Sequence, residues 1–216
     1  MRNEITSYQT INNRVIAEFK DKGSKFFAIS FPVANKHEFD LELAAIKDEF
    51  PKATHYCYAY KIGHDGNNFR INDDGEPSGT AGKPIFSQIE SNKLTNIAIV
   101  VVRYYGGTKL GVPGLIHAYK SSAAISISEN TVIVKIIKKN FIIKFDSSQY
   151  KQMQVCIGQL KKISSDISFI STLEVAVNVP LESIENLKKI VFENTFGYAY
   201  EGSSSALLEH ILIETE

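Results

Sequence analysis

Asn96-Ile-Ala-Ile-Val-Val-Val102, running into Arg103-Tyr-Tyr-Gly-Gly-Thr-Lys-Leu-Gly-Val-Pro-Gly114, is the stretch around which the chain reads. Ile97 to Val102 is apolar without alternation, which predicts a strand buried on both faces. The glycine-rich segment from Tyr105 to Gly114 then opens a helix that runs to about Glu129, with Ile116, Tyr119, Ala123 and Ile127 on one side. In a strand–loop–helix of this kind, backbone N–H groups and the helix dipole can hold an anion. Glycine lets the backbone come close to a phosphate.

Upstream, Arg14–Phe19 and Lys25–Val33 read as strands, the second rich in aromatic and β-branched residues. Phe39, Leu43, Ile46 and Phe50 form one helical stripe. Asn35 and Glu38 resemble a capping pair at its start, and Pro51 stops it. His55–Ile62 is a further strand. Residues 63–82 are polar and turn-rich, and a short helix is expected over Lys83–Glu90. Thr131–Val134 reads as the last strand of this part.

Downstream of Ile136–Lys139 the periods start afresh. Asn140–Phe145 is a strand, and Ser147 or Ser148 is expected to cap a helix with stripe Tyr150, Met153, Ile157 and Leu160. Ile167–Ile170 and Leu173–Val179 read as paired strands. Pro180 starts a helix with Leu181, Ile184, Leu187 and Val191 inward, closed near Gly197, and Leu207–Ile213 is a final strand. The order β-α-β-β-α-β is that of the ferredoxin-like split unit. Two domains follow, 1–136 and 137–216.

Composition bounds the function. The chain has 216 residues, 44% hydrophobic and 22% charged, values of a globular protein long enough to bury a core without staples. Lys plus Arg and Asp plus Glu both number 24, so a globally basic nucleic-acid binder is excluded. The halves differ little: residues 1–136 hold 16 basic and 14 acidic groups. Two cysteines, Cys57 and Cys156, make no disulfide framework. The N-terminus has no apolar signal core, and the longest strongly apolar run is too short to span a membrane. A cytoplasmic location is expected.

Charge is patterned locally. Residues 91–128 contain no Asp or Glu but hold Lys93, Arg103, Lys109 and Lys120. The stretch Asp73-Asp-Gly-Glu-Pro-Ser-Gly-Thr-Ala-Gly-Lys-Pro84 is the opposite, with three carboxylates. Neither loop satisfies a Walker, dinucleotide-binding, EF-hand or nucleophile-elbow pattern. Several readings stay open. The glycines can simply make a tight connection. Asp73, Asp74 and Glu76 can cap turns and pair with Arg103 or Lys109, or hold Mg²⁺. His55 and Cys57 share a strand face, but two ligands make no zinc site, so packing is expected. Tyr56, Tyr58 and Tyr60 lie on the other face, where they can stack on bases or pack. His37, His64 and His210 read as surface residues, and Lys138, Lys139 and Lys144 as solvated charge.

The two loops resemble the YigZ/IMPACT family (UPF0029) in its bacterial two-domain form. The resemblance is carried by Asp73–Gly82, by Val101-Val-Arg-Tyr-Tyr-Gly-Gly-Thr-Lys-Leu-Gly111, and by Gly114-Leu115 and Ala118-Tyr119. His55, Cys57, Ala59 and Tyr60 fit the family's strand. The chain departs from the family at His117, where a basic residue is usual, and at Val112-Pro113, where a glycine is common. The resemblance implies an α+β fold. A first domain would be like ribosomal protein S5 domain 2, and a small ferredoxin-like βαββαβ domain would follow. Together they resemble neighbouring domains of elongation factor G. It also implies a role in translation, as eukaryotic relatives have.

The leading expectation is therefore a ribosome- or RNA-associated factor. Lys83, Arg103 and Lys109, helped by the backbone of Gly106, Gly107 and Gly111, would contact phosphate oxygens. The alternative is a hydrolase-type enzyme for a small phosphorylated or peptide substrate. It would use Asp73, Asp74 or Glu76 as base or Mg²⁺ ligand, with Lys109 and Thr80 on the substrate. A protein-interaction module is the third. No catalytic set, resident metal or cofactor is assigned.

Overall fold

The computed structural model describes residues 5–201, 208 and 211–215. The chain forms two compact units, Ser7–Lys135 and Ile136–Glu216, the second including Met1–Thr6.

In the first unit the elements are β1 (Ser7–Ile11), β2 (Val15–Asp21), β3 (Ser24–Pro32), α1 (Lys36–Glu49), β4 (His55–Ile62), β5 (Asn68–Asn72), α2 (Gly82–Ser91), β6 (Ile97–Tyr104), α3 (Gly111–Ser128) and β7 (Val132–Ile136). Five strands form one antiparallel sheet in the order β2-β3-β6-β4-β5, while β1 and β7 pair separately. The unalternating strand β6 is central, and all of Ile97–Val102 is fully buried. Ala98, Val100 and Val102 pack with Phe39 and Ile46 of α1 on one side. Ile97, Ile99 and Val101 pack with Ile85, Ile89, Tyr119 and Ala123 of α2 and α3 on the other. Each such aliphatic side chain contributes about 1.5–3 kcal/mol by leaving water.

The α1 boundaries follow the sequence. Asn35 accepts the Glu38 N–H at 2.9 Å, while the Glu38 carboxylate takes N–H groups from Ala34 and the Asn35 side chain, each at 2.8 Å. The chain leaves the helix at Phe50, next to Pro51.

Three local expectations change. A strand, β5, lies inside the stretch read as turns: Asn-Phe-Arg-Ile-Asn alternates, with Phe69 stacked on Phe86 of α2, but the strand is only five residues long and lies at an exposed sheet edge among turn-forming residues. Helix α3 begins at Gly111, and its buried face runs through Leu115, Ala118, Tyr119, Ser122, Ala123, Ser126 and Ile127. Ile116 points away, 39% exposed. The inward serines hide this face from a hydropathy reading. They fit because Ser122 and Ser126 donate to the Ala118 and Ala123 carbonyls of their own helix.

The second unit holds β8 (Lys138–Lys144), α4 (Tyr150–Leu160), β9 (Ile167–Phe169), β10 (Glu174–Pro180), α5 (Ile184–Phe196) and β11 (Leu212–Thr215). The sheet order is β11-β8-β10-β9, all antiparallel, and the element order is β-α-β-β-α-β. Its core joins Phe141, Ile143, Val175 and Val177 to Met153, Leu160, Leu187 and Phe192. The helix cap is Asp146 rather than either serine. Its carboxylate accepts Ser148 N–H at 2.9 Å, while Gln149 reaches back to Asp146 N–H, a capping box on a 3₁₀ turn, Ser147–Gln149. Tyr150 is exposed and outside the stripe. Gly197, at φ 77°, closes α5 in the left-handed region. The last strand starts at Leu212; residues 207, 209 and 210 of the expected strand, His210 among them, lie outside those described.

Candidate functional site

The acidic loop turns its carboxylates inward. Asp73 Oδ1 accepts the N–H groups of Ala81 (3.0 Å) and Gly82 (2.8 Å), and Oδ2 accepts that of Gly79 (2.9 Å). One side chain thus pins the loop to the start of α2. Asp74 Oδ2 accepts Tyr56 N–H at 2.6 Å, and the Asp74 carbonyl accepts from His55 Nδ1 at 2.7 Å. A carbonyl can only accept, so His55 Nδ1 carries a proton and donates it, which fixes the ring with Nε2 toward Glu76. Thr80 is buried, with Oγ1 donating to the Pro77 carbonyl.

Glu76 is the hub. Its Oε1 accepts from Arg103 Nη1 at 2.5 Å and from the Tyr119 hydroxyl at 2.7 Å, and His55 Nε2 lies 3.8 Å away. The Glu76 and Arg103 side chains are only 4% and 6% exposed. The Arg103 guanidinium lies 5.4 Å from the Phe26 ring and 5.5 Å from that of Tyr105. Arg103 Nε is buried and has no hydrogen-bond partner. Register brings these groups together, because β4 and β6 pair with His55 opposite Arg103. Cys57 Sγ lies 3.3 Å from the Tyr119 hydroxyl and 3.0 Å from the Asp73 carbonyl. Burial, above all, pushes the Cys57 thiol and the Tyr119 phenol far up, so both stay neutral hydrogen-bonding groups.

The two loops meet at a cleft of about 490 Å³. His55, Glu76 and Arg103 line it from the sheet side, and Tyr105, Lys109 and Gly111 from the basic loop. The N-terminus of α3 carries no side-chain cap, so its first amides are left for an outside acceptor. Lys109 is exposed.

The three glycines separate. Gly106 donates its N–H to Ser24 Oγ at 3.1 Å, and a Cβ there would fall 1.9 Å from the Gly23 carbonyl carbon. Gly106 is thus the joint between the basic loop and the β2–β3 hairpin. Gly107 and Gly111 hold φ of +84° and +75°, a region that favours glycine. Of the three, Gly111 lines the cleft. Lys83 is exposed in the first turn of α2 and is not in the cleft lining. Asp73 and Asp74 serve the backbone, so among the three carboxylates Glu76 faces the cleft.

His55, Tyr105 and Tyr119 join the site although their local sequence gives them no such role. The hints in the sequence are the i, i+2 relation of His55 and Cys57 and the place of all three residues in the motifs that carry the family resemblance. Tyr58 and Tyr60 pack: their rings each lie 4.8 Å from Phe39, and Tyr60 is buried. Among the described residues no group of three or more His, Cys, Asp and Glu is placed to hold a metal ion.

Fold and site together define an α+β protein whose first unit carries, at the end of its sheet, a cleft in which Glu76, Arg103 and Lys109 stand among Pro77, Leu110, Val112 and Leu115. The Impact N-terminal domain family model matches residues 22–127, which contain every residue of the cleft. An IMPACT family member of Haemophilus influenzae is 29% identical over 196 residues, 89% of this chain and 95% of that protein. The IMPACT family member YigZ of Escherichia coli is 34% identical over 137 residues, 62% of this chain and 67% of that one. A crystal structure described as a hypothetical protein superposes with a TM-score of 0.70 at 25% identity, covering 92% of this chain and all of the other. The chain belongs to the IMPACT family. Among the described residues, no helix is long and apolar enough to cross a membrane.

Proposed function

We propose that this chain is a ribosome- or RNA-associated factor in the regulation of translation, and that the cleft receives a phosphate group of RNA. The observation that carries the phosphate reading is the N-terminus of α3, which has no side-chain cap and opens on a cleft that Lys109 and Arg103 also line. Family membership and the resemblance set out above support the translation reading. The same resemblance supports reading the first unit as S5 domain 2-like and the second as ferredoxin-like.

Arg103 and Lys109 play unequal parts. Glu76 balances the Arg103 charge, so Arg103 acts as a fixed donor and Lys109 supplies the net positive charge. The Gly111 amide assists. Contacts of this type give affinity without reading sequence. Co-sedimentation with ribosomes tests this at low and at physiological salt. Pelleting that weakens with salt, and weakens further in Lys109→Ala, is expected. No pelleting at low salt, or a Lys109→Ala variant that pellets like the parent, would sink the reading.

A second reading has one observation in its favour. The His55 ring is held in orientation by the Asp74 carbonyl and lines the cleft with Nε2 3.8 Å from Glu76, a placement suited to a general acid–base group. A screen of phosphomonoesters and dipeptides, with His55→Ala as control, decides it; turnover that vanishes in the variant would displace the RNA reading.

A further inference from the structure

We propose that the RNA crosses this surface as a single strand, with an unpaired base seated in a second groove on the far side of Tyr105. The inference deepens the phosphate reading above and rests on it.

Tyr105 is shared by two depressions. It lines the cleft, and it also lines a groove of about 490 Å³ with Gly23, Lys25, Phe27, Phe50 and Tyr104. Its ring is 45% exposed and lies near the Arg103 guanidinium, 5.5 Å away. Four of the groove's six lining residues are aromatic. Register explains the gathering. Lys25 pairs with Tyr104 across β3 and β6, and Phe27 follows on the same face. The Phe27 ring stands 5.2 Å from Phe50 and, edge-on, 6.1 Å from Tyr104.

An aromatic groove alone would not name its occupant; charge does. Lys25 stands in the groove, and Lys20 and Lys22 extend it along the β2–β3 hairpin. Gly23 of the hairpin tip lies against Gly106 of the basic loop, so these cations adjoin the cleft. The acids nearby are fewer: Asp21 at the tip, and Glu18 at 3.2 Å from Lys20. Residues 91–128 add none. The half-exposed ring of Tyr105, backed by the partly buried rings of Phe27, Phe50 and Tyr104 and flanked by cations, suits a polyanion with free π-faces, which is single-stranded nucleic acid. In a duplex the bases are stacked within the helix and cannot reach such rings. Phosphate at the start of α3 and base on the far side of Tyr105 would place one nucleotide across that residue.

The chain has no Trp, so Tyr105→Trp installs a single indole as reporter. The probes are a ten-nucleotide oligouridylate and an RNA duplex of equal length, at low salt. The expected result is indole quenching by the single strand, with affinity at least tenfold above that for the duplex. Tyr105→Ala should lose about tenfold on the single strand, the size of one base stack, and less than twofold on the duplex. Equal affinity for the two forms, equal loss on both, or saturation without quenching would overturn the inference while leaving the phosphate reading intact. Binding of neither form at low salt would overturn both. Tyr105 is half-exposed, and an unchanged melting temperature checks that the variants are folded.

Discussion

In the first unit Glu76 and Arg103 are buried beside an apolar core, as are Thr10, Ser30 and Ser122. In the second unit one described polar residue, Ser164, is buried as a whole, its hydroxyl donating to the Asn178 carbonyl, while single buried oxygens of Asn178 and Thr195 lie at the margin of the apolar core without a hydrogen-bond partner. The two units therefore answer to different rules. An apolar core asks for volume and period, and tolerates exchange among similar residues. A polar core must satisfy each group by a named partner, and losing one strands the other. The unit that accepts this constraint is the one with the cleft.

The sharpest way to break the contrast is Glu76→Ala. It leaves Arg103 buried without its counter-charge and should cost about 3–5 kcal/mol in denaturant unfolding. The double variant Glu76→Met with Arg103→Met should recover most of that loss; if it recovers none, the pair is not the unit of stability. Next, Leu160→Ala in the fully buried core of the second unit should cost about 3 kcal/mol, read by hydrogen exchange in α4 and α5. RNA affinity should not change; a change would deny that the cleft's function is separate. Asp73→Asn keeps one acceptor oxygen for three amides and should cost about 1–2 kcal/mol in thermal unfolding. Lys109→Ala should leave stability untouched and lower the salt slope of RNA binding by about 0.7, the share of one phosphate contact on a single strand.

The smallest effect belongs to the second unit's surface. Ser148 N–H, then its hydroxyl, hold the Asp146 carboxyl below its ordinary range. A lowered folded-state pKa gives stability that is present above the unfolded value, about 3.9, and lost as pH falls through the folded one. Asp146→Ala should flatten the stability curve in that acid window and leave its slope near neutrality unchanged. Burial pushes the Cys156 thiol up to about 12, so a thiol reagent at pH 8 should label the native second unit only as it opens.

How far the sequence could be read follows the same divide. Strand β6, helix α1 with its Asn35–Glu38 cap, and the stripes of Met153, Ile157 and Leu160 were legible because apolar burial writes a period into the residues. Strand β5 was not, because its alternation rests on two apolar residues, Phe69 and Ile71, too few to stand out from the polar, turn-rich residues around them. The serine-lined face of α3 was misread because its hydroxyls are satisfied within the helix. The facing of the two loops was legible from their opposite charge, and so was the pairing of a loop carboxylate with Arg103, as one of several options. The choice of Glu76 over Asp73 and Asp74 was not. It depends on which carboxylates the backbone claims, and loop geometry alone fixes that.

The hub at Glu76 also sets a schedule. Glu76 sits in the loop after β5 and its partners arrive from β4, from β6 and from α3, and none of them can complete the hub alone. Contacts so distant in sequence close late in folding. A chain still growing on the ribosome, short of Tyr119, holds Arg103 and Glu76 without the phenol that shares the carboxylate. It also lacks the body of the helix whose amides edge the cleft. The hub and the cleft it lines are thus complete only when the first unit is whole.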